Sequence, residues 1–189
     1  MPIKIYKPTT AGRRHSSVDK FADVTKKTPE KRLTIARKRS GGRNNQGKIT
    51  IRHRGGGAKQ RIREIDFKMD KFDIPATVAA IEYDPNRGCR IALLNYKDGE
   101  KRYVLAAKGV EVGQELMSSR KLIEIKAGNR MPIEFIPVGM NIHNVEMSPL
   151  TSGTMVRGAG NYAQLMAMEG KFAQVKLPSG EVIKSPDSY

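Results

Sequence analysis

The sequence predicts a mainly β protein, with two small β-barrels behind an extended basic N-terminal arm. Three observations carry this. Short apolar stretches recur at close spacing with turn residues between them. No segment shows a long 3.6-residue apolar period, so helix is minor. Charge is also partitioned sharply: residues 1–70 hold 20 Lys and Arg against six Asp and Glu, whereas residues 71–189 hold 15 against 13. The resulting net charge of +16 repels itself in a monomer and points to a polyanionic partner.

The arm is assigned to residues 1–60. Lys4, Tyr6 and Pro8 give it an extended start, and Phe21, Val24, Leu33 and Ile35 are too sparse for a core of their own. Free in solution it is expected to be largely disordered and to gain order on its partner. The first barrel is assigned to 61–126. RIREIDF supplies a strand entry, and PATVAAIEYD alternates Ala79, Ile81 and Tyr83 with Val78, Ala80 and Glu82. DPNRG (Asp84 to Gly88) reads as a turn. CRIALLNY and KRYVLAA are strands joined by KDGE, where Asp98-Gly99 signals a hairpin. VEVGQEL and KLIEIKAG are two further expected strands. The second barrel is assigned to 127–189, with strands expected at IEFIP, NIHNVEM, AQLMAME and FAQVKL, and at VIK after the PSGE hairpin. PVGMN and MSPLTSG break these elements.

One cysteine, Cys89, allows no disulfide framework within these residues and fits a reducing, intracellular compartment. No run approaches the roughly 20 apolar residues of a membrane helix, so no membrane partner is expected. His15 and His53 lie among arginines, which suits phosphate contact and suits a metal poorly. His143 reads as a structural hydrogen-bonder in a strand, and Cys89 as a small barrel residue. No HExxH, GxSxG or paired-carboxylate motif occurs, so no catalytic residue, metal or cofactor is assigned.

The strongest signal is Gly47 to Arg63, GKITIRHRGGGAKQRIR, which is dense in Lys and Arg, carries four glycines and has no acid. Arginine forks suit phosphate oxygens, and Gly55, Gly56 and Gly57 let a sugar–phosphate backbone approach closely. Ile49 and Ile51 could lie on one face, with Arg52 and Arg54 on the other. Lys59 follows the glycines, but GxxxxGK[ST] spacing is absent, which argues against nucleotide hydrolysis. The candidate nucleic-acid contacts in and beside the arm are Arg13, Arg14, Arg37, Lys38, Arg39, Arg43, Lys48, Arg52, His53, Arg54, the three glycines, Lys59 and Arg61. Arg63 and Lys68 would continue this surface onto the first barrel. Arg87, at the tip of DPNRG, and Arg157, followed by Gly158, Ala159 and Gly160, stand out from nearly neutral surroundings. The absence of Trp, and only 11 Phe plus Tyr, favours a structural clamp over a single-strand reader.

RNNQGKITIRHRGGGAKQRIREIDFK, IEYDPNRGCRIALLNYKDGEKRYVLA, IPVGMNIHNVEM and VRGAGNYAQL, in that order, resemble the large-subunit ribosomal protein L two family in its bacterial form. The resemblance implies that the first barrel is an OB-fold and the second an SH3-like barrel. It implies binding to large-subunit ribosomal RNA beside other ribosomal proteins, near the region that supports peptidyl transfer and the joining of the small subunit. A cytoplasmic ribosome is expected, with an organelle ribosome as the alternative. Arg87, Arg157 and the basic residues of the glycine-rich block match positions the family uses on RNA. The family often has His after the three glycines and an aromatic residue shortly before IDF. Ala58 and Ile62 stand there instead, so ring stacking is not expected at those points. The family's glycine-rich basic tail would follow this barrel. The sequence ends at Tyr189, and no residue of that tail is carried over.

Overall fold

A computed structural model describes residues 3–149 and 151–186. Leu150 in MSPLTSG and the end of VIKSPDSY lie outside these described residues. Twelve strands follow in order: β1 (Ile3–Ile5), β2 (Ser17–Asp19), β3 (Thr34–Ala36), β4 (Arg61–Arg63), β5 (Ala76–Tyr83), β6 (Arg90–Tyr96), β7 (Lys101–Leu105), β8 (Glu115–Leu116), β9 (Asn141–Ile142), β10 (Ala163–Glu169), β11 (Phe172–Lys176) and β12 (Val182–Pro186). The fold is mainly β. Two antiparallel four-stranded sheets, ordered β7-β6-β5-β8 and β12-β11-β10-β9, are accompanied by the small pairs β1-β2 and β3-β4.

The first sheet closes through the segment that precedes it. Ile65 bridges to Tyr103 on β7, and the Asp66 N–H donates to the Tyr103 carbonyl at 2.8 Å. Phe72 then bridges to Ser118, just past β8, and the Asp73 N–H donates to the Ser118 carbonyl at 2.8 Å. One segment thus covers both sheet edges, which is how a small barrel avoids open ladders.

β6 reads RIALLNY, a nearly unbroken apolar run, and it is buried on both faces. Ala92 and Leu94 face the barrel interior with Val78, Val104 and Leu116. Ile91 and Leu93 face the other way, with Ala80 and Tyr103, where Leu33 and Ile65 cover them. The register of β5 shifts between Val78 and Ala80. That irregularity separates the two residues into different clusters despite their i, i+2 spacing.

The arm supplies the cover on this outer face. The Thr25 N–H donates to the Ile81 carbonyl at 3.0 Å, the Ile81 N–H donates to Thr25 Oγ1 at 2.9 Å, and the Glu30 N–H reaches the Tyr103 hydroxyl at 2.8 Å. Tyr103 in turn donates to Glu82 Oε2 at 2.8 Å. Further back, Arg90 on β6 pairs with Asp19 and Asp23 and lies over the Phe21 ring, which meets Tyr83 edge-on at 5.1 Å. The arm is therefore tied down at two places by polar contacts, where sequence reasoning saw only sparse apolar residues.

The second core is smaller. Ala163 and Leu165 of β10 and Ala173 and Val175 of β11 are fully buried, as the alternation in FAQVKL predicts. Both expected hairpins form, with Tyr96 N–H to Glu100 O and Leu177 N–H to Glu181 O closing the turns.

Four expected strands differ. KLIEIKAG stays irregular: among the described residues none of its members joins a ladder or a bridge. IEFIP forms a 3-10 turn over Ile133–Phe135, and the three-residue period turns Ile133 and Ile136 onto the second core. NIHNVEM is broken in two: Asn141–Ile142 form β9, Asn144 at φ 53° bends the chain, and Val145 then makes a separate antiparallel bridge to Met155. His143 is accordingly not in a strand; it sits on the wall of a 740 Å³ cleft between the barrels. VEVGQEL is also shorter than expected, keeping only Glu115–Leu116 as β8.

Candidate nucleic-acid interface

The short ladder between β3 and β4 pairs Ala36 with Arg61 and so pins the ends of a loop spanning 37–60. Within it, Arg43 bridges Ile49, and the Asn44 side chain accepts the backbone N–H groups of Gln46 and Lys48, both at 3.0 Å. Gly42 is the pivot. Its carbonyl accepts from Thr50 at 2.9 Å and Ile51 at 3.1 Å, and its φ is +75°. A Cβ there would lie 2.4 Å from the Ile51 carbonyl oxygen, so only glycine fits.

Gly55, Gly56 and Gly57 all have positive φ, at 127°, 69° and 77°. Backbone conformation alone thus accounts for the three glycines. Arg39 folds across them, donating to the Gly56 carbonyl at 3.2 Å and to Gln60 Oε1 at 2.7 Å. Ile49 and Ile51 are exposed beside the basic residues.

The loop base is tied to the DPNRG turn. Arg37 donates to Asn86 Oδ1 at 2.9 Å, Asn86 Nδ2 donates to the Arg61 carbonyl at 2.7 Å, and Gln60 Nε2 donates to the Pro85 carbonyl at 3.3 Å. Next in the turn, Arg87 pairs with the buried Asp84 at 3.1 Å and lies over the Phe67 ring, 5.1 Å from its centroid. Arg157 of the second barrel lies over the same ring at 4.6 Å. The two turns also meet where a Gly88 Cβ would stand 3.8 Å from Ala159 Cβ, and where Cys89 Sγ contacts the Arg157 carbonyl at 3.6 Å. Two arginines far apart in sequence thus share one aromatic ring at the barrel junction.

The remaining predicted residues divide plainly. Arg13, Arg14, Lys38, Arg43, Lys48, Arg52, His53, Arg54, Lys59, Arg61 and Lys68 are exposed. Arg13 and Arg14 lie in the turn between β1 and β2, apart from the loop over 37–60, and Arg13 stacks over Tyr6 at 5.3 Å. Arg63 is 9% exposed and donates to the Arg61 carbonyl, so it points inward and is withdrawn from the contact surface. Asn86, Gln60, Phe67 and Gly42 were missed. An Asn in a turn or a Phe in a strand entry carries no signal of what it will touch.

Electrostatics sharpen the picture. Among the described residues, no Lys or Arg over 31–68 has a carboxylate within salt-bridge distance. The acids are committed elsewhere: Asp66, Asp70 and Glu100 to Arg102, Asp98 and Glu100 to Lys71, and Glu146 to Arg130. Hydrogen bonds from Arg102 hold the Asp70 carboxyl below its ordinary value, so it stays ionised and paired. Burial pushes the Cys89 thiol up, leaving it neutral at pH 7; His143 is exposed at the cleft wall, where partial desolvation lowers its imidazole. Among the described residues neither is hydrogen-bonded to a carboxylate, though the Asp84 charge also raises the Cys89 thiol.

A two-barrel β protein with a basic loop that no carboxylate compensates has the charge distribution of a nucleic-acid-binding protein. Two family models match the sequence: ribosomal proteins L2, RNA binding N-terminal domain, over residues 30–118, and ribosomal proteins L2, C-terminal domain, over residues 126–187. The chain belongs to the ribosomal protein L2 family. The first match begins at the residue whose N–H reaches Tyr103, inside the arm, in keeping with the arm's contribution to the first core.

Proposed function

We propose that this protein is a structural, non-catalytic component of the large ribosomal subunit. It binds large-subunit ribosomal RNA through the 37–61 loop and the Arg87–Phe67–Arg157 junction. The observation that carries this is the run of cations over 31–68 with no acid in reach, set on glycines and joined to two arginines held on one ring. Each phosphate neutralised releases condensed counterions, which offsets the entropy of ordering the loop. Neighbouring ribosomal proteins are the other expected partners. Support of subunit assembly, of association with the small subunit and of the peptidyl transferase region completes the reading, on a cytoplasmic ribosome. The arm over 1–60, the OB-fold-like barrel over 61–126 and the SH3-like barrel over 127–189 are the units through which it acts.

The test is a footprint on large-subunit ribosomal RNA, compared with a variant carrying Arg52→Ala, Arg54→Ala, Lys59→Ala and Arg61→Ala. A discrete footprint that disappears in the variant supports the reading. A footprint indifferent to these changes shows that recognition lies elsewhere in the chain.

A further inference from the structure

The segment 66–72, which closes the first barrel, carries an aromatic residue near each end. Phe67 takes Arg87 and Arg157. Phe72 repeats the arrangement with different partners: Arg120 lies 4.6 Å and Arg130 5.3 Å from its ring centroid. Beside this second ring is a cavity of about 350 Å³, lined by Lys68, Asp70, Phe72, Arg120, Arg130 and Thr151. Three of its six lining residues are cations and one is an acid, and that acid is already paired with Arg102. Arg130 is fixed by Glu146 Oε1 at 2.7 Å and by Ser118 Oγ at 3.2 Å. Arg120 and Lys68 are exposed, and among the described residues neither has a carboxylate within salt-bridge distance, although Lys68 feels the charge of Asp70.

We propose that this cavity is a second phosphate-binding site for the RNA backbone, with Arg120 and Lys68 as the contacting groups. Phe72 acts as a positioning residue that orients the Arg120 guanidinium. The proposal rests on the RNA-binding reading and adds to it a contact outside the glycine-rich block. The chemistry is direct. A guanidinium stacked on an aromatic face keeps its edge N–H groups available for bidentate donation to a phosphate, and a lysine beside it adds a mobile charge. Lys68 and Phe67 are adjacent in sequence, and five residues of extended chain span at most about 17 Å. One RNA strand crossing the junction could therefore meet both aromatic–arginine sites in succession.

The experiment measures affinity for large-subunit ribosomal RNA over a salt series, using the whole chain and four variants: Arg120→Ala, Arg120→Lys, the Arg52/Arg54/Lys59/Arg61→Ala combination, and Lys184→Ala as a basic control remote from the cavity. Thermal midpoints verify folding of each. The expectation for Arg120→Ala is a salt-dependence slope shallower by roughly 0.7–0.9 for each phosphate no longer neutralised, and about tenfold weaker binding at fixed salt. Arg120→Lys should restore the slope but not the full affinity, because the charge returns without the fork. A wild-type slope in Arg120→Ala, with binding abolished in the combination variant, overturns the second site and leaves the first intact. A variant that binds RNA normally but no longer holds a neighbouring ribosomal protein also overturns it, assigning the cavity to protein contact. Absence of salt-dependent RNA binding by the wild type would overturn the underlying reading itself.

Discussion

Tyr103 shows how much one side chain can hold. It is fully buried, accepts the Glu30 N–H and donates to the buried Glu82 carboxylate, whose other oxygen faces Lys26 at 3.8 Å. Burial pushes the Glu82 carboxyl up and the Tyr103 hydroxyl bond opposes that shift. Tyr103→Phe leaves both the Glu30 N–H and Glu82 Oε2 without this partner and should cost about 1–3 kcal/mol in urea unfolding. An unchanged midpoint would mean that water replaces the hydroxyl without penalty. At Gly42 the constraint is steric. Gly42→Ala should open the loop, read as faster hydrogen exchange at Thr50 and Ile51, whose amides donate to the Gly42 carbonyl. Sequence alone reveals neither residue's importance. Glu82 sits in an alternating strand at a position where a solvent-facing acid would sit, and the arm that buries it joins through hydrogen bonds rather than an apolar stripe.

Among the elements, the β1–β2 hairpin is the one most dependent on charge. It is fastened by Arg90, which pairs with Asp19 and Asp23. The Phe21 backbone N–H and then Arg90 hold Asp19 below its ordinary value of 3.8; Arg90 does the same for Asp23. Folded pKa values below the unfolded ones mean that the clamp contributes fully above about pH 3.8 and fades as pH falls through the lower folded values. Carboxyl titration by NMR should place the Asp23 midpoint under 3.8. A midpoint at or above it would show that the clamp does not persist in solution. The hairpins at Asp98-Gly99 and PSGE could be read from sequence because their turn chemistry is local. KLIEIKAG could not: it alternates apolar and polar residues as a strand does, yet none of its residues joins a ladder among the described residues.

Across the whole molecule, charge and function coincide. The carboxylates are drawn into networks around Arg90, Arg102, Lys71 and Arg130, and the loop cations are left for a partner. The excess of charge in the first third of the sequence was visible from composition. The meeting of Arg87 with Arg157 on Phe67 was not, because it depends on how two barrels pack. The measurement that bears most directly on the account is the affinity of this chain for large-subunit ribosomal RNA at 50 and 200 mM salt. With roughly 6–10 phosphates contacted, affinity should fall by about 10³–10⁵ across that range. A fall of less than about tenfold would contradict the claim that the uncompensated basic loop is the RNA-binding surface.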